Sequence, residues 1–128
     1  MKPVADTITI LEKLYEKTLS QTCLKKGDKW EGNWDDWEIG KDWLPDHFGV
    51  YVLWETSGCH KEGKRPVYVG EGILGLRINE SFNRRQGWHY AQMLVDERIS
   101  GNSRECQFWR KLLERFLIVV LEPIENVD

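Results

Sequence analysis

The chain is poor in cysteine, in long apolar stretches and in surplus positive charge, and each shortage removes a class of protein. Its three cysteines, Cys23, Cys59 and Cys106, stand far apart with no CxxC pair among them. That odd number and wide spacing argue against a disulfide framework and a structural zinc site, and for reduced thiols. The longest purely apolar run, Phe116 to Leu121, falls far short of the roughly 20 residues needed to cross a bilayer. No apolar signal core follows Met1-Lys2-Pro3, so a cytoplasmic location with no membrane partner is expected. Positive charge is not in excess either, because 18 Lys and Arg face 21 Asp and Glu for a net charge of −3. Such a balance is awkward for a nucleic-acid enzyme, whose phosphate contacts draw on Lys and Arg.

What is present defines a soluble globular chain. At 128 residues there is enough sequence for one core and too little for two ordinary domains. The 41% hydrophobic and 30% charged shares match that class. Charge is unevenly spread: residues 1–48 carry seven lysines against ten acids, whereas residues 49–128 carry eleven of each sign. Within 77–115 there are eight cations against five acids, so a modest basic surface can form there.

Residues 1–48 are expected to form an extension packed on a domain at 49–128. Ile8, Leu11, Leu14, Tyr15 and Leu19 fall near one helical face, and Thr9 and Glu12 have capping-box spacing. Residues 28–46 follow no period. There Trp30, Trp34, Trp37 and Trp43 alternate with acids and glycines, as in a loop-rich cover or a protein interface. After Pro45-Asp46, Val50 to Trp54 is a dense run of β-formers, residues 56–65 read as an exposed loop, and Val67-Tyr68-Val69 is a second strand. If that connection is a hairpin, the two strands are antiparallel. A helix is predicted from Leu74 to Phe82, a short one from Trp88 to Leu94, and a third strand within Met93 to Ile99. Ser103 is placed to cap a long helix from Arg104 to about Leu121, which Pro123 ends.

Two tripeptides, Gly49-Val50-Tyr51 and Tyr68-Val69-Gly70, bracket the hairpin; Arg77 and then a helix carrying Glu114 follow. The C-terminal stretch has Glu114, Leu117, Ile118, Leu121, Pro123 and Asn126 in fixed register. This order resembles the GIY-YIG nuclease superfamily, with Val for Ile in both tripeptides. The stretch from Glu114 looks like that family's closing pattern Glu-x-x-Leu-Ile-x-x-Leu-x-Pro-x-x-Asn at every position. The resemblance covers residues 49–126. It implies a compact α/β (α+β) domain with a three-stranded antiparallel sheet flanked by helices, here preceded by the N-terminal helix and Trp-rich extension. It also implies an endonuclease that hydrolyses DNA phosphodiesters with Mg²⁺ or Mn²⁺.

The residues fit that chemistry to different degrees. Glu114 shares a helix face with Leu117, Ile118 and Leu121 on one side and with Gln107, Arg110 and Lys111 on the other. Taken alone it reads as a solvated carboxylate or an ion-pair partner of Arg110; within the motif it becomes the metal ligand. A single carboxylate completed by water and phosphate oxygens suits Mg²⁺ or Mn²⁺. The resemblance assigns Tyr51 to activating the attacking water and Tyr68 to supporting it. Taken alone, both are ordinary strand aromatics. A phenol titrates near pH 10, so a nearby cation must favour its phenolate. Arg77, otherwise a solvated helix residue, would donate a fork of hydrogen bonds to the scissile phosphate. Many family members place a His or Tyr one turn after that Arg, where this chain has Ser81. His89, beside Trp88, is the candidate replacement, against the simpler reading of a packing residue. Gly70, Arg84, Arg85, Lys64 and Arg65 are the remaining candidate substrate contacts, and Asn126 is expected to fix the C-terminal turn.

A small nuclease without a separate binding domain implies a homo-oligomer to cut both strands. Against it stands a catalytically inactive GIY-YIG-like scaffold that binds nucleic acid, or a protein through its acidic, Trp-rich segment. A small α/β domain with a coincidental motif is the third reading.

Overall fold

The computed structural model describes residues 4–20, 24–25, 47–55, 65–84 and 90–126. The Trp-rich segment, Lys64, Arg85 and His89 lie outside the described residues, as do the side chains of Ser81 and Arg84. In chain order the elements are α1 (Val4–Leu19), β1 (Leu24–Lys25), β2 (Phe48–Trp54), β3 (Pro66–Ile73), α2 (Leu74–Arg84), β4 (Tyr90–Leu94) and α3 (Arg104–Leu121). No helix among the described residues is long and apolar enough to cross a membrane.

The expected antiparallel sheet is present, with a short addition. Strand order is β1-β4-β2-β3, so the two-residue β1 extends the predicted three strands at the β4 edge. β2 and β3 pair antiparallel, with Tyr51 opposite Gly70, Val50 opposite Glu71 and Gly49 opposite Gly72. β4 overturns one expectation and shifts another. Tyr90 to Leu94, predicted as helix, is a strand paired with β2, so the third strand expected within Met93 to Ile99 is present but ends at Leu94, and a hydrogen-bonded turn follows at Asp96 to Ser100. Ala91, Gln92, Met93 and Leu94 are all buried, so this central strand shows none of the in-out alternation that reveals a half-exposed one.

The sheet is covered on both faces. Val50, Val52, Trp54, Val69 and Leu94 pack with Leu11 and Leu14 of α1 and with Trp109, Leu113 and Leu117 of α3. Tyr51, Leu53, Ala91 and Met93 pack with Leu74 and Ile78 of α2 on the other side. Gln92 is a polar group buried in the sheet: it accepts from Trp54 Nε1–H at 2.8 Å and donates to the Leu19 carbonyl at 3.1 Å. The first joins β2 to β4 and the second ties the end of α1 to the sheet.

The helix ends show what sequence can and cannot place. α1 begins by Val4, so Thr9 is an interior residue and the proposed capping box does not operate. Asp6 lies in the first turn, where a negative charge suits the helix dipole. Ile8 is exposed, and the buried stripe is Leu11, Leu14, Thr18 and Leu19. For α3 the expected cap is found, with Ser103 Oγ accepting from the Cys106 N–H at 3.1 Å. Its C-terminus closes on Glu122, in left-handed conformation, whose N–H donates to the Ile118 carbonyl.

The chain then turns back along the outer edge of β3. The N–H groups of Ile124 and Glu125 donate to the carbonyls of Pro66 and Val67. Asn126 accepts from the Val69 N–H at 2.6 Å and donates to the Val69 carbonyl at 3.0 Å. Its backbone-bonding role is as expected, but the partner is the strand edge rather than its own turn.

Candidate active site

The far end of β3 gathers the candidate groups because two of its residues lack side chains. A Cβ on Gly70 would lie 2.4 Å from Cζ and Oη of Tyr51, so the Tyr51 ring lies directly across that glycine. Gly72 has φ +134°, outside the range L side chains favour, and a Cβ there would lie 2.9 Å from Nε of Arg77. Alternate residues of a strand share one face. Tyr68, the Tyr51 ring over Gly70, and the Arg77 side chain over Gly72 therefore follow one another along one face of β3. The two phenol rings are 6.1 Å apart between centroids, tilted by 42°. Tyr51 is only 3% exposed and Tyr68 is half-buried, so Tyr68 is the more open of the pair. Arg77 is 52% exposed and holds Glu80 at 3.3 Å, an exposed pair that does little to immobilise it.

Glu71 points to the opposite face, toward α3, and it is a residue that sequence reasoning missed. Its carboxylate, 10% exposed, accepts from Arg110 Nε at 3.0 Å and from Lys111 Nζ at 2.8 Å. Arg110, 4% exposed, also donates to the carbonyls of Ile99 and Gly101 and lies over the Phe48 ring at 4.3 Å. Burial pushes the Glu71 carboxyl up, but the hydrogen bonds and charges of Lys111 and Arg110 outweigh it and leave it below the usual range. Glu71 in turn raises Lys111. The available signal was a carboxylate wedged between Gly70 and Gly72 at the end of an apolar strand, where its charge needs a buried cation.

Glu114 lies one helical turn beyond Arg110 and is half-buried. The pairing with Arg110 that its spacing allows is not formed, because Arg110 is committed to Glu71. Among the described residues the Glu114 carboxylate has no hydrogen bond or ion pair. Burial and then the charge of Glu71 raise its pKa, partly offset by Lys111, Arg115 and Arg77. Arg77 is the smallest of these influences. A cleft of about 230 Å³ between β3 and the helices is lined by Phe48, Glu71, Gly72, Arg77, Arg110 and Lys111.

A half-buried carboxylate beside a second acid suits a hard divalent cation, which would offset both burial and repulsion. Among the described residues no group of three or more His, Cys, Asp or Glu is gathered as a metal cage. Glu114 would therefore be the main protein ligand, with water and substrate oxygens completing the shell.

The structure brings Tyr51, Tyr68, Gly70 and Arg77 together on the α2 face of the sheet, while Glu114 stands on α3, which packs against the other face. It places Arg65 elsewhere, at the opposite end of β3, paired with Glu55 at 3.0 Å. A scan of protein-family models, a search of curated proteins and a search of solved structures each return no match.

Proposed function

We propose that this chain is a divalent-metal-dependent endonuclease of the GIY-YIG type that hydrolyses DNA phosphodiesters. The observation that carries the reading is the end of β3, where two phenols and a guanidinium line one face, with the half-buried, unpaired Glu114 carboxylate on the α3 side of the same sheet. An isolated structural domain has no evident use for a half-buried acid left without a partner, since that arrangement costs stability.

In this mechanism a scissile phosphate approaches over Tyr68 and Arg77, the more open of the gathered groups. The Arg77 guanidinium donates to non-bridging oxygens and stabilises charge that builds as the attacking water closes in. The two tyrosine hydroxyls form the inner wall, where Tyr51, acting as the phenolate, takes the proton from that water to become the phenol, and Tyr68 orients it. A new P–O bond forms, the P–O3′ bond breaks, and the leaving oxygen is protonated by solvent, giving 5′-phosphate and 3′-hydroxyl ends. Glu114 would hold the cation, which would supply Lewis-acid charge to the reaction. Glu71 stays outside the chemistry: by holding Arg110 and Lys111 it fixes the α3 turn that presents Glu114.

The test is nicking of supercoiled plasmid with Mg²⁺ or Mn²⁺ and its suppression by EDTA. Glu114→Gln should remove metal-dependent nicking while the protein remains folded. Tyr51→Phe, Tyr68→Phe and Arg77→Ala should each lower the rate by about 10²-fold or more. Undiminished nicking by Glu114→Gln removes the metal assignment, and no nicking by the wild type with either metal favours the scaffold reading.

A further inference from the structure

The outer face of α3 has a feature that the catalytic reading leaves unused. Arg104, Phe108, Lys111, Leu112 and Arg115 recur at three- and four-residue spacing and so share one side of the helix. They line a shallow depression of about 500 Å³. Phe108 is 57% exposed, and its ring is held edge-on to Trp109 at 5.5 Å between centroids. Every charged group around the depression is a cation, and no carboxylate lines it. Among the described residues Arg104 and Arg115 have no ion pair, while Lys111 reaches across to Glu71. Gln107 and Lys111 line both this depression and the cleft beside Arg77, so the two are neighbours.

We propose that this depression takes an unstacked base of a nucleic acid on the Phe108 ring, with Arg104 and Arg115 on the flanking phosphates. The substrate class of the endonuclease is then DNA with single-stranded character, such as a flap, gap or loop. This substrate assignment rests on the nuclease reading above; the binding site itself does not. An exposed aromatic ring ringed by cations is the combination that holds single strands, because every base offers a face to stack and every linkage a charge. In a blunt duplex the base faces are stacked on one another and closed to a phenyl ring. A second copy of the chain fits the surface poorly, since a two-fold contact would set Arg104 and Arg115 against the same two cations of the other copy. The core of a protein interface is likewise depleted in charge.

The experiment uses the full chain in EDTA, with fluorescence anisotropy of labelled oligothymidylate and of a blunt duplex of equal length. The wild type should bind the single strand more tightly. Phe108→Ala should weaken single-strand binding roughly tenfold and leave the duplex unaffected, and Phe108→Trp should restore it. Arg115→Ala should weaken both, and lower the slope of log affinity against log salt on the single strand by about 0.7. Unchanged single-strand binding by Phe108→Ala, or a preference for duplex, overturns the proposal. So does a wild-type dimer, seen by light scattering, that Phe108→Ala dissolves, for the face would then belong to a second copy. Metal-dependent nicking together with Phe108-independent binding removes this inference and leaves the nuclease standing. Phe108-dependent binding without nicking does the reverse.

Discussion

Gly70 and Tyr51 occupy opposite positions on paired strands, and the absence of one side chain makes room for the other. The glycine of the second tripeptide and the tyrosine of the first are therefore one structural unit. A Cβ added at Gly70 has to displace ring atoms of a tyrosine that is 3% exposed and packed among Leu53, Leu74 and Ile78. Gly70→Ala is expected to cost about 1–3 kcal/mol of stability, the usual penalty of overpacking. It should also lower nicking, because the displaced phenol no longer faces the path of the attacking water. Thermal melts and plasmid assays on the same preparation check both effects, and a variant as stable and active as wild type would deny that the ring lies where it is placed. Both tripeptides were legible in the sequence as motifs. The reason for their glycines was not, because it depends on the register that pairs the two strands. Glu71 was illegible for a related reason: its cations arrive from a helix thirty-nine residues away in sequence.

Among the elements, α3 was the most legible because its evidence is local. A serine cap, a periodic apolar face and a stopping proline all lie within twenty-one residues of one another, from Ser103 to Pro123. β4 was the least legible, since its identity comes from neighbours on both sides and from the Gln92 bonds that make a polar residue acceptable inside. α1 was recognised as a helix but begun too late, because its first turn carries few core residues. The closing Asn126 was read as a residue that bonds backbone, and the edge it serves emerged only with the sheet. Its two hydrogen bonds to Val69 fasten the tail beyond α3 to β3 and cover an otherwise open strand edge. Asn126→Ala should cost about 1–3 kcal/mol, because it leaves the Val69 amide and carbonyl without their partner. Hydrogen exchange reads the effect directly: the Val69 amide should lose protection more than amides in the middle of β2. Equal loss across the sheet would mean that the tail is held by other contacts.

For the whole molecule, charge sets how stability and activity part company with pH. Asp96 joins the turn after β4 to α1 through Lys17 at 2.6 Å, and Glu71 joins β3 to α3 through Arg110 and Lys111. Burial pushes the Asp96 carboxyl up, but the Lys17 hydrogen bond and the Arg98 backbone N–H outweigh it, so it too titrates below the usual range. Folded-state pKa values below the unfolded ones mean that both groups stabilise the fold above the ordinary carboxylate range. That contribution is lost as pH falls through their folded values. Protonating Glu71 is the more damaging event, because Arg110 then loses its carboxylate while remaining buried. Glu114 has the opposite sign. Its pKa is raised, so its contribution is fully present below the unfolded value and lost as pH rises through the folded one. In EDTA, stability should therefore rise slightly as pH falls from neutrality into the Glu114 titration, and then drop as Glu71 and Asp96 protonate at lower pH. Melting temperatures across that range, compared between wild type and Glu114→Gln, test this. The variant should lack the initial rise and melt higher than wild type at neutral pH. Nicking needs the ionised acid, so activity should fall over the same interval in which the metal-free protein becomes more stable. If melting temperature and rate instead decline together from neutral pH downward, the carboxylate of Glu114 is not the strained group that this arrangement requires.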